Sequence, residues 1–152
     1  MKIIFMVAAV CIVAVSCNRA AMPSQTPYAN TEIINEEGNT ILAGLCSFDM
    51  MQQAPYKEWF DKSYSSYSAD TTTALQLKSL LKKTTIEIFL GSWCGDSKRE
   101  VPHMIKMLQT ADFDTARLKI IFVNNSTVTY KQSPQHEEKG KNIFRVPTFI
   151  VY

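Results

Sequence analysis

Cys94 is the residue of this 152-residue chain best placed to do chemistry. It lies in Trp93-Cys94-Gly95-Asp96-Ser97. Before it come a β-rich run from Thr85 to Leu90 and a Gly91-Ser92 break; Trp93 to Leu108 then carries helical patterning. A cysteine where a strand gives way to a helix sits among the free N–H groups of the first turn. Those donors and the helix dipole favour thiolate over thiol, which supplies a nucleophile. Lys98 and Arg99 add positive charge in the same turn, while Asp96 opposes them. Ser97, three residues on, is placed to donate a hydrogen bond to the thiolate. Pro102 removes one ladder bond and predicts a kink in the helix.

The elements that must hold this turn alternate in type. Ile41 to Phe48 reads as a strand with a breaking Gly44 in its middle. Pro55 to Tyr67 reads as a helix whose Trp59, Phe60, Tyr64 and Tyr67 form an aromatic face suited to core or lid packing. Asp70-Thr71-Thr72-Thr73 offers N-cap residues for a second helix carrying Leu75, Leu77, Leu80 and Leu81, with lysines in its last turn. Leu118 to Val123 has the near-continuous apolar character of a central strand. Thr127 to Lys141 is polar and reads as a loop with a short helix near His136 to Lys139. A last strand runs from Arg145 to Tyr152, entered through Pro147. This alternation predicts α/β layering, with Thr85–Leu90 and Leu118–Val123 joined by a right-handed crossover.

Hydrophobic content of 46% and charge of 20% allow a packed core. A net charge of +2 argues against a nucleic-acid binder. His103 and His136 are too few and too far apart for a metal site, and helix-face or solvent positions suit them better. No cofactor is called for.

The first 17 residues read as an export signal: Lys2, a short apolar run from Ile3 to Val15, then Ser16-Cys17. Ala14-Val15-Ser16-Cys17 resembles a bacterial lipobox, in which the cysteine is lipidated after cleavage; an ordinary signal peptide cut near Ser16 or Ala21 is the alternative. Asn18 after it, where inner-membrane retention often uses Asp, points to the outer membrane. Residues 18–38, with Pro23, Ser24 and Pro27, read as a flexible tether to a domain over 39–152. Losing Cys11 with the signal and lipidating Cys17 leaves Cys46 and Cys94 as the thiols of an exported, oxidising-compartment domain.

Taken in order, the strand, Trp93-Cys94-Gly95, the basic Lys98, Pro102 eight residues after Cys94, a distal strand and Val146-Pro147-Thr148 resemble the thioredoxin-like family. The resemblance covers roughly residues 75–152. It implies a three-layer α/β/α fold with a central mixed sheet. It also implies a cis peptide before Pro147 facing the reactive sulfur, and a substrate groove formed by Trp93, Gly95, Val146 and Pro147. Three departures qualify it. Ser97 stands where that family carries a second, resolving cysteine. Ile88 occupies the position of its buried acid, with Glu87 one place off on the other strand face. The chain ends at Tyr152, five residues after Pro147, without the family's C-terminal edge strand and helix, and so reads as truncated.

The resemblance and its departures imply a monothiol thiol–disulfide oxidoreductase or isomerase of the cell envelope. Cys94 is the nucleophile and Ser97 its companion, protein or small-molecule thiols and disulfides are the partners, and an external thiol resolves the adduct. Cys46 is either a distant resolving thiol or a buried small hydrophobe. A non-catalytic module that holds peptides in the same groove is the alternative. Peroxide reduction lacks the Thr and Arg context expected around such a cysteine.

Overall fold

The computed structural model describes residues 28–152. The predicted signal, the predicted lipidation site at Cys17 and the first part of the predicted tether lie outside the described residues. In chain order the elements are β1 (Thr31–Ile34), β2 (Thr40–Cys46), α1 (Tyr56–Ser66), α2 (Thr71–Leu81), β3 (Ile86–Leu90), α3 (Gly95–Thr110), β4 (Leu118–Phe122) and β5 (Thr148–Val151). The five strands form one mixed sheet in the order β1-β2-β4-β3-β5. β3 and β4 are parallel, joined by the α3 crossover, and every other pairing is antiparallel. The α/β class and the mixed sheet match the sequence reading.

Period-two alternation sorts the sheet residues onto two faces. Leu42, Cys46, Ile88, Leu90, Ile120 and Phe122 face Tyr56 and Phe60 of α1 and Val101, Ile105 and Leu108 of α3. On the opposite face Leu45, Phe89, Ile121 and Val123 pack with Val146, Ile143 and Trp93. β3 is buried at all five positions, which explains its unbroken apolar reading apart from Glu87. Asp70 caps α2 by accepting from the N–H groups of Thr72 at 3.0 Å and Thr73 at 3.3 Å, as its type and position predict. The C-terminal end of α2 is closed by Arg117, whose Nη1 donates to the carbonyls of Leu81, Lys82 and Thr84.

Four expectations are corrected. Within the stretch read as tether, residues 31–34 pair with β2, and Asn35 Oδ1 ties the hairpin turn by accepting from the N–H groups of Glu37 and Asn39. The stretch near His136–Lys139 is a series of turns anchored on Ser133, with no helix. Gly44 does not break its strand. It marks the point where β2 passes from pairing β1 to pairing β4, at φ +82°, and a Cβ there would lie 2.6 Å from Gln135 Oε1. Lastly, α1 and α3 cover one sheet face and α2 packs on α3. Among the described residues the other face carries no helix, only segments of the 124–147 loop, so the second helical layer is absent there.

Candidate active site

Cys94 is the residue immediately before α3, in extended conformation at φ −90° and ψ 124°. Two backbone bonds fix it: its N–H donates to the Gly91 carbonyl at 3.0 Å, and its carbonyl accepts from Lys98 N–H at 3.0 Å. Its half-buried thiol donates across to the Val146 carbonyl at 3.4 Å. The Val146–Pro147 peptide is cis. Two segments 52 residues apart therefore meet at one sulfur, with Val146 buried and Pro147 half-exposed beside it.

Trp93 is locked rather than loosely exposed. Its indole Nε1 donates to the Val123 carbonyl at 2.8 Å, and its ring lies 5.9 Å from that of Tyr130. The indole also rests on Gly91, where a Cβ would fall 2.5 Å from Cε2, so the turn needs glycine at that position. Gly95 is exposed and a Cβ there would meet no atom within 4 Å, leaving open space over the first turn of α3.

Ser97 is fully buried, and its hydroxyl accepts from the Gly91 N–H at 3.2 Å. No hydrogen bond joins it to Cys94 Sγ; the bond its oxygen does make closes the Gly91–Ser97 turn. Ser92, which in the sequence reads only as part of a strand break, does similar work from the other side. Its Oγ accepts from the buried Leu42 N–H at 3.0 Å, tying the turn to β2. A serine beside a glycine at a strand end was the available signal. Arg99 is engaged by Asp96 at 2.8 Å and Glu100 at 2.6 Å, so its charge is already answered.

Cys46 does not join this site. It is buried on the helix-covered face, paired with Ile120, and burial pushes its thiol up to about 11. β2 and β3 are separated by β4, two strand spacings or about 9.6 Å, and Cys94 lies beyond the end of β3. A disulfide needs Cα atoms within about 7 Å. Cys46 thus fits the buried-hydrophobe role.

Glu87 points away from α3, as its parity predicts. Burial raises its carboxyl, but hydrogen bonds from Lys141, Tyr152 (3.0 Å) and Lys119 (3.3 Å) outweigh burial and hold it below the usual carboxylate value. His103 is on α3, stacked on Tyr67 at 4.5 Å, and His136 is in the outer loop, so the two histidines do not converge. No group of metal-ligating side chains occurs among the described residues.

A cleft of about 490 Å³ runs from the Val146–Pro147 wall along α3. Its lining is apolar at Met104, Met107 and Phe149 and charged at Asp96, Arg99, Glu100 and Arg145. Comparison with family models, curated proteins and solved structures finds no match to this chain.

Proposed function

We propose that the chain is a thioredoxin-like thiol–disulfide oxidoreductase or isomerase that works through Cys94 alone. The observation that carries this reading is the contact of Cys94 Sγ with the carbonyl of Val146, itself part of a cleft wall, on a turn held from both sides. In the first step the Cys94 thiolate attacks one sulfur of a disulfide. The S–S bond breaks, the departing sulfur leaves with the electron pair and takes up a proton, and a mixed disulfide remains on Cys94. Ser97 cannot resolve that adduct, because its hydroxyl is no match for a thiol in exchange and is committed to Gly91. Cys46 is out of reach. A thiol from outside attacks the adduct and returns Cys94 to its starting state. An exported, lipid-tethered domain facing an oxidising compartment is the setting in which such exchange is useful, and it belongs to the same proposal.

The test is turnover of a mixed-disulfide substrate by the purified chain with a small-thiol donor, set against Cys94→Ser. Turnover in the wild type and its loss in the variant are expected. Equal rates in the two would end the enzyme reading and leave a peptide-holding module.

A further inference from the structure

The cleft beside Cys94 is unevenly charged. Along the first turns of α3, Arg99 is shared by Asp96 and Glu100, so positive and negative groups answer each other. The opposite wall carries Arg145, next in sequence to Val146, whose carbonyl touches Cys94 Sγ. The Arg145 side chain is exposed and forms no ion pair with any described residue. A guanidinium stays charged at every physiological pH and offers a planar fork that matches a carboxylate. Arg145 lines a partly apolar cleft of a volume suited to a small molecule.

We infer that the cleft receives a small disulfide bearing a carboxylate, with Arg145 anchoring the half that becomes bonded to Cys94. This rests on the reading of Cys94 as the exchanging thiol and adds a substrate class to it: anionic low-molecular-weight disulfides, ahead of neutral or cationic ones. The chemistry is unchanged. The thiolate displaces the other half as a thiol, and the retained half keeps its carboxylate against Arg145 until an external thiol removes it. The charge of the substrate governs how fast the adduct forms, since an attractive pair near the surface speeds encounter and holds the productive pose.

The test measures the rate of Cys94 adduct formation with dithiodipropionate, hydroxyethyl disulfide and cystamine, which carry negative, neutral and positive ends. For the wild type the anionic probe should outpace the cationic one by about tenfold or more at low salt, as expected for a single well-placed charge. That ratio should shrink steadily as ionic strength rises and the screening length falls below about 10 Å. Arg145→Gln should flatten the ratio and Arg145→Glu should invert it, while Arg145→Lys keeps its direction. Equal wild-type rates for the three probes, with Cys94 modified by each, would overturn the carboxylate inference and leave the exchange reading intact. Absence of adduct with every probe would overturn both. The salt dependence of the wild type needs no variant, so a poorly folding Arg145 substitution does not shield the inference.

Discussion

Ser97→Ala separates a structural serine from a catalytic one. The Ser97 side chain is fully buried and supplies the acceptor for Gly91 N–H at 3.2 Å. Alanine removes that acceptor and leaves a buried donor unpaired, which costs about 1–3 kcal/mol. At roughly 4 °C per kcal/mol for a domain of this size, Tm should fall by about 4–12 °C. Urea denaturation would read the same loss as a lower midpoint at unchanged slope. Adduct formation at Cys94, measured per folded molecule well below Tm, should hold, because no hydrogen bond runs from Ser97 to the sulfur. Unchanged stability together with a collapse of Cys94 reactivity would refute this assignment and return Ser97 to the role of thiolate donor.

Other substitutions and conditions probe separate parts of the structure. Native alkylation followed by mass spectrometry should label Cys94 and spare Cys46, with Cys46 labelled only after denaturation; native labelling of Cys46 would contradict its burial. Because the folded Cys46 thiol titrates at about 11 against an ordinary 9.0, its contribution to stability is complete below pH 9.0 and drains away as pH rises towards 11. Cys46→Ala should flatten that alkaline decline. Glu87 has the opposite sign: its folded carboxyl titrates below the ordinary 4.5, so its contribution is present above pH 4.5 and lost as pH falls through the lower folded value. Glu87→Gln should therefore blunt acid destabilisation in a pH series of denaturation curves, and an unaltered acid limb would count against the Lys141–Glu87–Tyr152 network. Arg117→Ala strips the α2 carbonyls of their donor and should destabilise by about 1–3 kcal/mol in chemical denaturation.

The parts of the fold legible in the sequence are those whose signals are local and whose burial is complete. β3 is legible because all five of its positions are buried, β4 because all but Lys119 are, and α2 because Asp70 sits at its N-cap with the right partners two and three residues on. The meeting of Cys94 with Val146-Pro147 was anticipated through the motif pair. β1 was hidden because its residues are only half-covered and sit in polar company. The Asn35–Asn39 turn, with Gly38 at φ +80°, was its one local sign. Gly44 read as a breaker because nothing local reveals that the strand changes neighbours there. The bond between Ser97 and the Gly91 N–H is not legible in the sequence, since it is created only by the tight turn that Trp93 folds over. Arg117 and Ser92 were invisible for the same reason: each bonds to backbone 33 or more residues away in sequence.

The most direct test of a single working sulfur is the fate of the first adduct when no outside thiol is present. The purified chain is mixed with a small disulfide, quenched at intervals and mapped by peptide mass spectrometry. One equivalent of adduct should accumulate on Cys94, persist without decay, and disappear when a small thiol is added. An adduct on Cys46, an internal Cys46–Cys94 disulfide, or a Cys94 that stays unmodified would each contradict it.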